Sequence, residues 1–114
     1  VTFVEKNMQS FNILKKNLIE LTVIDKAKIY NKDVKNALLY NINEKFNIFF
    51  FDPPFLDSNF LENLKLIKEK KIYENNHIVI IHRNQKKEDN FENLIKILEK
   101  KIYGRSKIIF GIFN

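Results

Sequence analysis

Apolar residues recur along this chain in two rhythms, and the two alternate from one end to the other. Val1–Glu5 opens as a short buried strand, three apolar residues around one threonine and then an acid. Asn7 is placed to cap a helix whose apolar residues Met8, Phe11, Leu14, Leu18 and Leu21 fall at spacings of three and four. Ala27–Tyr30 is a second short strand that runs out toward Asp33, and Val34–Tyr40 fits one or two helical turns. Phe46–Phe51, FNIFFF, is nearly all apolar, as a strand covered on both faces would be. Two prolines stop it at once, because neither can donate to a strand ladder. Ser58 is a candidate cap for a helix with Phe60, Leu61, Leu64 and Ile67 inward and lysines outward. His77–His82, HIVIIH, is another buried strand. Asn90 is placed to cap a further helix with Phe91, Leu94, Ile95 and Leu98 on one face. The last segment, Lys107–Phe113, alternates as a terminal strand, and Tyr103 to Lys107 is short enough to close a hairpin.

The predicted order is therefore β-α-β-α-β-α-β-α-β-β. Such alternation implies an α/β fold, with a mostly parallel sheet, helices on both faces and an antiparallel hairpin at the C-terminal edge. No repeat, linker or low-complexity boundary interrupts it, so residues 1–114 are expected to form a single domain.

Composition narrows the class. A hydrophobic share of 45% suits a globular chain and not a disordered one. No apolar run approaches the roughly 18 residues of a membrane span, and the first residues lack a signal-peptide pattern, so a cytoplasmic location and no membrane are expected. With no cysteine, disulfides and thiolate metal sites are excluded. His77 and His82 stand five apart with no third ligand beside them, so no metal is expected. The net charge of +6 lies mostly in the second half, where twelve basic residues meet seven acids. This suits contact with a polyanion but also an ordinary solvated surface. Eighteen of the twenty basic residues are Lys and asparagine is abundant, which reads as codon bias and not as a prion-like tract. The chain opens at Val1 directly in a strand-like run, as a fragment would.

Candidate chemistry gathers where strands end. In open parallel sheets ligands bind at the carboxyl ends of the strands, and Glu5, Asp33 and Asp52 each follow a strand. A carboxylate there can accept hydrogen bonds from ribose hydroxyls or an exocyclic amine. Asp52-Pro53-Pro54-Phe55 is the most specific of these signals. Its prolines fix the backbone, directing the Asp52 carboxylate and the Pro53 carbonyl toward one point. Two acceptors so placed can grip an NH2 group and orient its lone pair, while Phe55 offers a flat face on which an extruded base can stack. Arg83 and Arg105, at a strand end and a turn, are the candidate RNA contacts. The lysine clusters read as helix-end and loop charges.

The Asp-Pro-Pro-Phe turn after a hydrophobic strand resembles the catalytic motif of amino-methyltransferases. VTFVEKN at Val1–Asn7 resembles the second strand of their Rossmann-like class I fold, and Asn31-Lys32-Asp33-Val34 the motif after the third. With Asn17 and the ending KIYGRSKIIF, the chain resembles the bacterial 16S rRNA guanine-N2 methyltransferases, the RsmD-like family, over essentially its whole length. The resemblance implies S-adenosylmethionine as cofactor. Glu5, with Lys6 beside it, would take the cofactor ribose. Asp33 would take the adenine amine, and the backbone N–H of Val34 the adenine ring. Asp52, Pro53 and Phe55 would hold the target guanine, with Pro54 shaping the loop. It implies 16S rRNA or the assembling small subunit as partner, and a monomeric full-length protein. Two departures stand out. Many relatives carry an acid where this chain has His82. The glycine-rich D-x-x-x-G-x-G motif is absent, so these residues read as the C-terminal part of the domain, lacking its first, central strand. The competing readings are an adenine-N6 DNA methyltransferase, and a non-catalytic RNA-binding or remnant domain.

Overall fold

A computed structural model describes all of residues 1–114, which divide into two units, Val1–Ile42 and Asn43–Asn114. No helix is long and apolar enough to cross a membrane.

In the first unit, β1 (Thr2–Val4) and β2 (Lys28–Tyr30) pair in parallel, Val4 beside Tyr30, so both chains leave the ladder at the same end. Helix α1 (Met8–Glu20) begins where the sequence places it, with the Asn7 side chain accepting from the Ser10 N–H. Its apolar stripe is only partly buried. Leu18 is enclosed, but Met8 and Leu21, expected inward, are exposed. A single 3-10 turn at Ile24–Lys26 returns the chain to β2. Helix α2 (Val34–Tyr40) starts at an Asp33 cap and buries Ala37 and Leu38.

The second unit is one four-stranded sheet with the order β3-β4-β6-β5. Strands β3 (Phe46–Phe51) and β4 (Tyr73–Asn84) are parallel and joined by helix α3 (Phe60–Lys70), the expected crossover. Strands β5 (Ile95–Tyr103) and β6 (Ser106–Phe113) form an antiparallel hairpin whose second strand pairs with β4. Its two-residue loop, Gly104-Arg105, uses the left-handed region at Gly104 (φ +58°). One face of this sheet, carrying Phe49, Val79, Ile81, Arg83 and Ile109, is buried together with Phe60, Leu64 and Ile67 of α3. Ring contacts Phe51–Phe60 and Phe60–Phe91 show α3 lying on that face.

Three expectations are corrected. The first concerns β3, which is buried on one face only. Phe49 is 8% exposed but Phe50 is 64%, because β3 is an edge strand and the single helix of this unit covers the other side. The second concerns the start of α3. Its cap residue is Asn59, not Ser58, and makes no side-chain cap bond; Asp57 Oδ1 accepts from the Asn59 N–H instead.

The third correction is the helix expected after Asn90, which is not formed. Asn90 does accept from the Glu92 N–H, and Leu94 N–H reaches the Phe91 carbonyl, but the turn stops at Asn93 with φ +64°. From Ile95 the chain pairs with β6 instead, from Ile95 opposite Phe113 to Tyr103 opposite Ser106. The three-and-four spacing persists, yet two of its members serve a strand. Ile95 is buried and Leu98 is the extra residue of a bulge between Ile97 and Glu99. A ladder of eight pairs against β6 outweighs a short helix with marginal propensity of its own.

Gly111 sits opposite Ile97 at this bulge. A Cβ there would lie 2.9 Å from the Lys96 carbonyl oxygen and 3.0 Å from Ile95 Cδ1. Gly111→Ala is therefore expected to destabilise the protein by about 1–3 kcal/mol through overpacking. Urea titration followed by circular dichroism checks this; an unchanged midpoint would show that the backbone yields freely there.

Candidate active site

Each unit carries its own share of the residues singled out in the sequence. In the first, Glu5 and the segment Asn31–Val34 emerge together from the parallel pair β1-β2. The Glu5 N–H continues the ladder to the Tyr30 carbonyl at 3.0 Å. The Asn31 side-chain amide then donates to the Glu5 carbonyl (2.9 Å) and the Lys6 carbonyl (3.1 Å), tying the two strand ends together. One carboxylate oxygen of Glu5 accepts from the Asn7 N–H, and one of Asp33 accepts from the Lys35 N–H as the cap of α2. The second carboxylate oxygen of each acid takes no part in these contacts. Val34, as the first helical residue, has an N–H with no partner inside α2. Asn31, the first residue of the Asn31-Lys32-Asp33-Val34 motif, thus has a structural role.

In the second unit the Asp-Pro-Pro-Phe turn leaves β3 beside the end of β4. Phe51 pairs with Ile81, so Asp52 comes level with His82. His82 Nδ1 lies 2.9 Å from Asp52 Oδ1, and its Nε2 lies 2.9 Å from Ser106 Oγ on β6. Phe55 is 50% exposed, so a flat aromatic face is open beside the turn. The Pro54 carbonyl is occupied: it accepts from Arg83 Nη1 at 3.0 Å and from the Asp57 N–H at 3.0 Å. The Pro53 carbonyl meets no protein donor, which leaves it and the second Asp52 oxygen as the acceptors of the turn.

Arg83 is not where the sequence reading put it. Its side chain is 0% exposed, so it cannot reach RNA. The guanidinium pairs with both oxygens of Asp89 (Nε to Oδ2 2.9 Å, Nη2 to Oδ1 3.2 Å) and stacks over the Phe60 ring at 4.8 Å. Burial of a charge is tolerated only with such pairing. The alternation of β4 gives the reason. Val79, Ile81 and Arg83 face α3, whereas His82 faces the other side. Arg105 does occupy an exposed turn, where only its backbone carbonyl is engaged, by the Gln85 N–H at 2.7 Å. The lysines also divide. Lys107 is buried and its ammonium donates to the Lys87 carbonyl, while Lys68 reaches the Asn93 carbonyl and Asn114.

Comparison with known proteins bears on this arrangement. The model of the family described as conserved hypothetical protein 95 matches residues 1–112. The chain belongs to that family. It is the RsmD-like family that the sequence resembles. Three solved structures share the fold. A conserved hypothetical protein of Streptococcus pyogenes superposes with a TM-score of 0.88 at 20% identity, over 99% of this chain and 71% of its own. A proposed methylase from Haemophilus influenzae gives 0.80 at 25% identity, over 97% and 70%. The proposed methyltransferase YhhF of Escherichia coli gives 0.76 at 20%, over 96% of this chain but 60% of its own length. No curated protein matches the sequence. Family and neighbours together support a methyltransferase with a mixed α/β fold.

The buried pair makes a measurable demand. Removing either Arg83 or Asp89 leaves the other charge buried and alone, so Arg83→Ala and Asp89→Ala are each expected to cost about 3–5 kcal/mol. The double variant should cost clearly less than their sum, as measured by a double-mutant cycle in chemical denaturation. Additive losses would mean the two charges do not depend on one another.

Proposed function

We propose that the full-length protein transfers a methyl group from S-adenosylmethionine to an exocyclic amine of a nucleic-acid base, guanine N2 of 16S rRNA. The observation that carries the reading is the turn itself. Asp52 and the Pro53 carbonyl offer two acceptors at the end of a strand, on a backbone held through Pro54, with an exposed Phe55 alongside. That set of groups matches an NH2 on a flat base.

The cofactor supplies a methyl group on a sulfonium, already activated toward a nucleophile. Glu5 and Asp33, each with a carboxylate oxygen to spare at the ends of paired strands, suit its ribose hydroxyls and adenine amine. Lys6 and the Val34 N–H complete that side. The protein's work is then positioning. Asp52 and Pro53 orient the amine lone pair, Phe55 stacks the base, and the amine proton leaves to Asp52 or water after transfer. Arg105 is the remaining candidate for contact with rRNA in the assembling small subunit, and the acting form is a cytoplasmic monomer.

The finer fold we propose is the Rossmann-like class I fold, with residues 1–114 as the C-terminal part of one domain. In support, β1 and β3 each have one strand neighbour only, and the neighbouring structures are longer than this chain. The first strand and its glycine-rich loop would belong to that additional length.

Radiolabelled methyl transfer to 30S particles lacking the modification, followed by nucleoside analysis, tests the substrate. N2-methylguanine is expected; label in N6-methyladenine, or on DNA alone, would overturn it. The roles separate by kinetics. Asp52→Ala and Phe55→Ala should lower turnover far more than cofactor affinity, and Glu5→Ala the reverse. A lost hydrogen bond to a charged group costs about 1.5–3 kcal/mol, roughly a factor of ten to a hundred or more. Equal loss of cofactor affinity in all three would remove the distinction.

A further inference from the structure

We infer that His82 is a positioning residue that fixes the Asp52 carboxylate for the incoming base amine, with Ser106 holding the imidazole in turn. The inference rests on the reading of Asp52 as the base clamp. Its grounds are geometric. Asp52 is 62% exposed at the end of an edge strand, where a lone carboxylate would turn freely about its side-chain bonds. Binding an amine would then require ordering it at the moment of binding, an entropic cost set against the new hydrogen bond. The contact from His82 Nδ1 to Oδ1, 2.9 Å, removes that freedom and leaves Oδ2 to face the substrate.

The second contact makes the first dependable. A carboxylate accepts but cannot donate, so Nδ1 must carry the hydrogen. A neutral ring then presents Nε2 as an acceptor, and the Ser106 hydroxyl at 2.9 Å can donate to it. A protonated ring donates from both nitrogens, and the same hydroxyl can accept. Ser106 therefore supports the chain in either charge state. The register explains why these three meet. Asp52 follows Phe51, which pairs with Ile81, and Ser106 pairs with Asn84, two residues beyond His82 on the same face of β4. The arrangement spans three adjacent strands, β3, β4 and β6. His82 and Arg83, consecutive residues on opposite faces, thus hold the two ends of the Asp-Pro-Pro-Phe turn, one at the Asp52 side chain and one at the Pro54 carbonyl.

The ring itself reports on the idea without any activity. The chain has two histidines, and His77 serves as the internal reference, because the Phe113 N–H donates to its Nε2 at 2.9 Å and fixes the Nδ1–H form. Long-range nitrogen-15 spectra of the purified protein, recorded on the neutral rings, should show His82 also as Nδ1–H. Asp52→Ala should return His82 to the tautomer mixture of a free imidazole and leave His77 unchanged. A free-imidazole mixture in the wild type would overturn the inference.

Methyl transfer supplies the second reading. His82→Ala should lower kcat about tenfold, with KM for S-adenosylmethionine changed less than about twofold. His82→Asn, whose amide can donate from the position of Nδ1, should recover most of the loss. Full kcat in His82→Ala, or no recovery in His82→Asn, would also overturn it. A wild type without methyl transfer to any nucleic acid would instead sink the proposed function, and the contact between His82 and Asp52 would still stand or fall on the ring spectrum.

Discussion

A guanidinium shut away from water must find every partner within the protein, and the second unit is organised around the one that Arg83 requires. Asp89 arrives on the segment between β4 and β5, Phe60 on the first turn of α3, and the Pro54 carbonyl on the turn after β3. Two connections, one joining β3 to β4 and one joining β4 to β5, are thereby brought to one buried charge. Desolvation makes Asp89 the costliest of these to lose, because what remains is an unpaired ion in an apolar surrounding. This dependence explains how an irregular stretch such as residues 85–94 keeps a defined course. It is held at Gln85 by the Arg105 carbonyl, at Lys87 by the Lys107 ammonium and at Asp89 by Arg83.

Much of this was legible in the residues. The boundaries of Val34–Tyr40 and Phe46–Phe51 match the pattern; two prolines end the second, and the Asp33 cap that starts the first is seen in the structure. The acids at strand ends and the Asp-Pro-Pro-Phe turn were recognisable because their chemistry is local. What escaped was non-local. The segment Phe91–Leu98 carries helical spacing, and only the presence of β6 as a partner turns it into a strand. The direction of Arg83 depends on strand parity counted from a core residue four positions earlier, Val79, and on a carboxylate six positions later. A strand-end arginine reads the same in sequence whether it faces solvent or the core.

The candidate site shows the same division. The groups proposed to act belong to the motif, but what steadies them cannot be read from it, because Asn31, His82, Arg83 and Ser106 are ordinary polar residues until the fold places them. Second contacts of this kind decide whether a constellation is held closely enough to act. Here His82, Arg83 and Ser106 come from regular strands, whose spacing is set by the ladder, and Asn31 follows directly on β2.

One edge of the larger sheet has a further bearing. Strand β5 ends the order β3-β4-β6-β5, so one row of its backbone groups faces away from any strand of its own sheet. Such a row can recruit a strand from another molecule, and the exposed Ile97, Leu98 and Ile102 along it would reward that pairing. The same nine residues also carry Lys96, Lys100 and Lys101, all exposed. Two copies aligned edge to edge would bring like charges toward each other at Lys96 and Lys100, while Lys101 is balanced by Glu99 at 3.9 Å on the same strand. The lysines of this strand thus act as a guard on colloidal behaviour, keeping an apolar margin from becoming a template for fibrils.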